Sequence, residues 1–191
     1  MSLPNHKIII ITAPSGAGKT SITKYLLNKY PQLSFSISAA TRAPRGEEQN
    51  GIDYHFMSAE VFQRKIREGA FIEWEMVYQG KYYGTLKSEL QKIWDQGKTP
   101  LLDIDINGAI HVQKQFTKSS LSIFIEPPSI EELKKRLESR GTETPESIRT
   151  RLSKAAYEIS FKDQFNKIIV NANLEKACTE TETAIKEFLG L

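Results

Sequence analysis

The sequence predicts an α/β fold in which a central parallel β-sheet carries helices on both faces and so forms three layers. The first observation is a run of four isoleucines, Ile8 to Ile11, within residues 7–12. A short, continuous β-branched run is typical of a strand buried on both faces of a parallel sheet. The second is that such runs alternate along the chain with segments of helical periodicity, as right-handed crossover connections require. The 191 residues are enough for one buried core.

The first strand, residues 7–12, is followed by a Pro- and Gly-containing segment and then by a predicted helix over residues 19–30. Ile22, Leu26 and Leu27 give that helix one apolar side, and Pro31 ends it. A second strand is predicted over residues 33–38.

Residues 39–96 have a different composition. They contain many aromatic residues and no long strand of the buried type, and their glycines are Gly46, Gly51, Gly69, Gly80 and Gly84. We therefore expect an inserted lobe of mixed α/β structure, with the core formed by residues 1–38, 97–130 and 156–191.

The second half returns to buried strands over residues 100–105, 121–125 and 167–170. Ser129 and Glu132 fit a capping box that begins a helix ending near Gly141, and Thr144-Pro145 begins the next helix. Residues 131–155 are thus predicted to form a helical lid. A last helix is predicted over residues 174–189.

Composition excludes several classes. The net charge of +3 is too small to indicate a nucleic-acid-binding protein. Residues 134–154 hold seven Lys/Arg and three Glu, which suits a polyphosphate, although a solvated helix face explains them equally well.

The single cysteine, Cys178, excludes an internal disulfide and is expected to be buried. No apolar run approaches the ~20 residues that cross a membrane, and no signal-peptide pattern is present. We expect a cytoplasmic protein without membrane or nucleic-acid partners; monomer and homo-oligomer remain open.

The segment between the first strand and helix matches the Walker A spacing, with Ala13 where a glycine is usual. Glycines let backbone N–H groups approach phosphate, Lys19 supplies an ammonium for the β- and γ-phosphates, and Thr20 supplies a hydroxyl for Mg²⁺. A glycine-rich turn that happens to precede Lys-Thr is disfavoured by the flanking strand and helix. The predicted ATP-binding residues are Ala13, Pro14, Ser15, Gly16, Ala17, Gly18, Lys19 and Thr20.

Further motifs follow in one order: SxSxxTRxPR at residues 36–45, GxDYxF at 51–56, FIEW at 71–74, YYGT at 82–85, LDID at 102–105, KKRLESRGTET at 134–144 and IIVN at 168–171. With these motifs the chain closely resembles the guanylate kinase family over one domain, residues 7–188. The resemblance implies transfer of a phosphoryl group from ATP to GMP with Mg²⁺ as cofactor. It also makes residues 39–96 a GMP-binding lobe.

The resemblance implies a GMP site formed by Ser38, Arg42, Arg45, Tyr54, Glu73, Tyr83, Thr85 and Asp105. The chemistry agrees: Arg42 and Arg45 suit a bidentate phosphate clamp, and one carboxylate, Glu73, accepts from both N1–H and the exocyclic amine of guanine. Adenine lacks this donor pair, and discrimination of that kind reaches roughly 10⁴-fold. Tyr82 is expected to pack in the core.

The predicted catalytic residues are Lys19, Arg42, Arg136, Arg140 and Arg151, with Thr20 and, through water, Asp103 as holders of Mg²⁺. Ala13 and Ala40 depart from the family pattern without removing a charged group, and Ala172-Asn173 stands where two acidic residues are common.

Two alternatives stay open. One alternative is a P-loop kinase acting on a sugar phosphate, which would have no guanine for Glu73 to recognise. A catalytically inactive phosphopeptide-binding scaffold of the same fold would have little use for Lys19 and Thr20.

Overall fold

The computed structural model describes residues 6–139, 141 and 144–191. In chain order the strands are β1 (Ile8–Thr12), β2 (Leu33–Phe35), β3 (Ala39–Ala40), β4 (His55–Phe56), β5 (Phe71–Tyr78), β6 (Lys81–Leu86), β7 (Thr99–Asp103), β8 (Ser120–Glu126) and β9 (Lys167–Val170). The helices are α1 (Lys19–Lys29), α2 (Ala59–Arg67), α3 (Lys87–Asp95), α4 (Ile106–Gln115), α5 (Ile130–Glu138), α6 (Pro145–Ile159) and α7 (Leu174–Leu189), and a short 3-10 helix spans Lys162–Gln164.

The core is a five-stranded parallel sheet with strand order β2-β7-β1-β8-β9. The isoleucines of β1 alternate between its faces, and all four are fully buried. Ile9 and Ile11 pack with α1 and α7, whereas Ile8 and Ile10 pack with α3 and α4. Helices thus cover both faces, and the predicted three-layer α/β core is confirmed.

The inserted lobe contains a second sheet with strand order β4-β3-β6-β5, in which β5 and β6 form an antiparallel hairpin. Its small core centres on Phe62, whose ring stacks on Phe71 at 4.3 Å and on Tyr82 at 5.4 Å between centroids. Leu90 of α3, by contrast, packs in the main core with Ile8 and Ile10. We therefore propose that the lobe, predicted over residues 39–96, ends near Leu86.

The predicted lid helices α5 and α6 begin where the capping residues place them. The Ser129 hydroxyl accepts from the backbone N–H of Glu132 at 3.1 Å, and the Thr144 hydroxyl accepts from that of Ser147 at 3.2 Å. The two helices pack on each other through Leu133, Leu137, Ile148 and Ala155. Among the described residues, no helix has the length and apolar character needed to cross a membrane.

Two strands are shorter than the sequence indicates. The strand predicted over residues 33–38 ends at Phe35, and the one predicted over 100–105 ends at Asp103. In the second case the chain turns because Asp105 caps a helix, α4, that the sequence analysis did not predict: its carboxylate accepts from the backbone N–H of Gly108 at 2.8 Å. Gly108 inside that helix weakens its helical pattern.

Candidate active site

The phosphate loop joins β1 to α1. Gly16 and Gly18 both have φ of 97°, in the left-handed region that favours glycine. A Cβ on Gly18 would lie 2.2 Å from Nδ2 of Asn171, and this same Nδ2 donates to the carbonyl of Ala17 at 2.7 Å. Asn171, which follows β9, is 4% exposed and holds the loop in place through this hydrogen bond. Asn171 belongs to the IIVN motif, but nothing in the sequence indicates this role.

Lys19 begins α1, and its ammonium contacts the carboxylate of Asp103 at the end of the neighbouring strand β7. Both side chains keep about a fifth of their surface exposed, at 21% and 22%. With Thr20 they line a cavity of about 480 Å³ next to the phosphate loop. Lys154 and Glu158, on α6, also line it and were missed as site residues, although Lys154 lies in the basic segment noted above.

The donor set beside the loop fits Mg²⁺ that arrives with a nucleotide. Mg²⁺ is usually held by one or two carboxylates, with phosphate oxygens and waters completing its octahedron. Thr20 and Asp103 supply a hydroxyl and a carboxylate at one cavity. The described part of the chain has no group of three or more His, Cys, Asp or Glu side chains suited to a metal of its own.

A second cavity, of about 350 Å³, adjoins the first. Its walls include most of the predicted GMP-site residues: Ser38, Arg45, Tyr54, Glu73, Tyr83 and Asp105. Both cavities are lined by Ser38, Tyr54, Asp103, Asp105 and Lys154. The carboxyl ends of the core strands and the inner face of the lobe therefore form two adjoining cavities with a shared wall.

Glu73 is the buried acid of the second cavity and is 6% exposed. Burial raises the pKa of its carboxyl to about 7; the nearby Asp105 carboxylate adds to that rise, while a hydrogen bond from Thr85 opposes it. The Thr85 hydroxyl donates to Oε1 of Glu73 at 2.6 Å. Thr85 is 1% exposed, so the structure places it behind Glu73, where it orients the carboxylate.

Room for the Glu73 carboxylate depends on Gly108 of α4. A Cβ on Gly108 would lie 2.8 Å from Oε2 of Glu73 and 3.4 Å from Oδ1 of Asp105. Gly108 is not among the residues predicted for the site, because a lone glycine in the chain carries no signal of what lies opposite it.

Arg42 contacts both tyrosines of the second cavity. Its guanidinium is over the ring of Tyr54 at 4.8 Å, and its Nε donates to the Tyr83 hydroxyl at 3.1 Å. It also forms an ion pair with Glu48, and only 8% of the Arg42 side chain is exposed. Glu48 was missed by the sequence analysis.

The lid arginines lie on the donor side. Nη1 of Arg151 donates to the hydroxyl of Ser15 in the phosphate loop at 2.5 Å, and Arg151 also lines the second cavity. Nη2 of Arg136 donates to the backbone carbonyl of Asn171 at 3.0 Å. Arg140, the other predicted lid arginine, lies outside the described residues.

A phosphate loop at the end of a parallel sheet, beside a second polar cavity with basic and phenolic side chains, defines a P-loop kinase. A sequence model described as guanylate kinase matches residues 5–188. The chain is 48% identical over 184 residues to the guanylate kinase of Bacteroides thetaiotaomicron, covering 96% of this chain and 90% of that protein. It is 47% identical to the guanylate kinase of Chlorobium chlorochromatii, covering 98% of each. The chain belongs to the guanylate kinase family.

Comparison with solved structures supports the same family. The guanylate kinase of Anaplasma phagocytophilum superposes with a TM-score of 0.75 at 31% identity, covering 95% of this chain and 85% of that one. A shikimate kinase of Bacteroides thetaiotaomicron, at 13% identity and a TM-score of 0.52, shares the fold alone.

Proposed function

We propose that this protein transfers the γ-phosphoryl group of ATP to GMP and releases ADP and GDP. The observation that carries the proposal is the pair of adjoining cavities, one beside the phosphate loop and one containing a buried carboxylate, Glu73. The reaction belongs to purine nucleotide metabolism and GMP recycling, and we place it in the cytoplasm.

Guanine recognition follows from the buried acid. The ionised Glu73 accepts from N1–H and the exocyclic amine of guanine together, and Thr85 keeps its carboxylate oriented. Adenine would leave that carboxylate facing an acceptor, N1, and buried without full pairing, which is costly. Ser38 and Asp105 supply further polar groups on the same wall.

Phosphoryl transfer depends mainly on positioning and charge stabilisation. The backbone of the phosphate loop binds the ATP phosphates, and Lys19 leaves Asp103 to neutralise the β- and γ-phosphates. Arg151, already at Ser15, adds positive charge from the lid segment. Arg136 and Arg140 are the other two lid residues to which the sequence assigns this role. Thr20 and Asp103 would hold Mg²⁺, which supplies charge neutralisation of the transferring group when bound.

The acceptor phosphate belongs on the lobe side of the second cavity. Arg45, Tyr54 and Tyr83 line that part of the wall, and Arg42 supports both tyrosines from behind. A phosphate oxygen is itself the nucleophile, so the reaction needs no dedicated base.

A coupled ADP-release assay with ATP and a panel of acceptors tests the proposal. GMP should be turned over far faster than AMP, UMP or ribose 1,5-bisphosphate. A preparation that turns over ribose 1,5-bisphosphate and not GMP would make it a sugar-phosphate kinase. A folded preparation with no turnover of any acceptor would favour the scaffold alternative.

A further inference from the structure

The carboxylate of Glu48 joins the two arginines of the acceptor lobe. Nη1 of Arg42 donates to its Oε2 at 2.5 Å, and Nη2 donates to its Oε1 at 2.8 Å, which is a bidentate pair. The same Oε2 accepts from the backbone N–H of Arg45 at 2.8 Å. The backbone N–H of Glu48 in turn donates to the carbonyl of Arg45 at 3.1 Å. One carboxylate therefore holds the Arg42 side chain and closes the turn that carries Arg45.

The environment of Arg42 makes this partner necessary. Its guanidinium is nearly covered, with the rings of Tyr54 and Phe56 at 4.8 and 5.5 Å. A covered guanidinium is stable only with its charge paired. The Arg42 guanidinium lowers the pKa of the Glu48 carboxyl to about 2, so the pair is ionised at neutral pH.

The pairing also decides how many hydrogen bonds Arg42 has left. A guanidinium has five N–H donors. Within the described residues, Nε donates to Tyr83, Nη1 to Ala43 and Glu48, and Nη2 to Glu48, so at most one N–H, on Nη2, is left for a ligand. A bidentate clamp of a phosphate by Arg42, expected from the sequence, is incompatible with this arrangement. The Tyr83 hydroxyl accepts from Arg42, so its own proton is available to donate.

From these contacts we infer that Glu48 is the positioning residue of the acceptor-phosphate site, an inference that rests on the proposed function. Glu48 keeps Arg42 behind Tyr54 and Tyr83 and fixes the backbone of Arg45 at the cavity. The phosphate then accepts hydrogen bonds from the remaining Nη2 N–H of Arg42, from the Tyr83 hydroxyl and from the Arg45 guanidinium. Glu48 acts through these groups and does not touch the guanine side, where Glu73 lies.

The test compares the binding of GMP and guanosine to the whole protein by calorimetry. Guanosine presents the base without the phosphate. In Glu48→Gln, amide N–H groups face the guanidinium, so GMP affinity should fall about tenfold, while guanosine affinity stays at the wild-type value. The KM for GMP should rise by a similar factor with the KM for ATP unchanged. Glu47→Gln, an exposed neighbour, is the matched control and should leave all four constants unchanged.

Each other result overturns the inference. Equal losses of GMP and guanosine affinity would make Glu48 a general support of the lobe. Unchanged GMP binding would show that Glu48 does not position the phosphate-binding groups, and tighter GMP binding would show that Glu48 competes with the phosphate for them. A wild-type protein that binds no GMP would overturn the proposed function itself, and that failure is visible before any variant is made.

Discussion

The affinity of the protein for the guanine base should depend on pH through the ionisation of Glu73. Its pKa of about 7 means that most of the carboxyl is protonated near pH 6 and ionised near pH 8. Since the ionised form accepts both guanine donors, guanosine should bind about tenfold more tightly at pH 8 than at pH 6. Calorimetry with guanosine avoids the titration of the GMP phosphate. A flat wild-type profile, or the same slope in Glu73→Gln, would contradict this role.

Gly108 sets the space available to that carboxylate. In Gly108→Ala the new Cβ would lie 2.8 Å from Oε2 of Glu73, so the carboxylate or helix α4 has to shift. We expect the KM for GMP to rise at least several-fold with the KM for ATP unchanged. Asn107→Ala, at an exposed position in the same turn, is the control. If Gly108→Ala kept the wild-type KM for GMP, the space at Gly108 would not limit how Glu73 binds GMP.

At this scale the sequence predicts residues whose chemistry depends on local spacing. Lys19 and Thr20 follow from the loop pattern because the loop, strand and helix are contiguous. Glu73 needed the family resemblance, since nothing near it in the chain shows that it is buried. Glu48 carries no signal of its own, because its pairing with Arg42 depends on the course of the intervening loop.

Among the elements, α1 and α7 are joined by one buried carboxylate near the C-terminal end of α1. The carboxylate of Glu182 accepts from the hydroxyls of Tyr25 and Tyr30 and from the ammonium groups of Lys29 and Lys186. These donors hold the pKa of the Glu182 carboxyl well below its ordinary value. The network therefore stabilises the fold above the ordinary carboxyl pKa and loses that contribution as the pH falls.

Glu182→Gln should lower the melting temperature at pH 7 by several degrees and leave the KM values unchanged, because Glu182 is remote from both cavities. The difference from the wild type should narrow as the pH falls below about 4. Thermal unfolding monitored by circular dichroism measures both effects. Glu180→Gln, on the exposed side of α7, is the control, and an equal loss there would contradict a specific role for Glu182.

Elements with strong periodicity were predictable, and those fixed by tertiary contacts were not. β1, α5, α6 and α7 form where apolar pattern and capping residues place them. The two-residue strands β3 and β4 exist only because they pair with each other and because β3 also pairs with β6. No pattern of two residues contains that information.

For the whole molecule, transfer between two anionic nucleotides requires a compartment from which water is excluded. The second cavity is lined both by the lobe and, through Arg151 and Lys154, by the lid segment. We therefore expect both parts to close over ATP and GMP together. Small-angle X-ray scattering should show a smaller radius of gyration with both nucleotides than with neither. An unchanged radius would count against closure.

We propose that the two adjoining cavities form one site that passes a phosphoryl group directly from ATP to GMP. The most direct measurement follows the label from [γ-³²P]ATP in the presence of GMP. We predict labelled GDP in equal amount to the ADP released, and loss of both products in Lys19→Ala. Label recovered as inorganic phosphate with GMP unchanged, or no label transferred by the folded wild-type protein, would contradict the account.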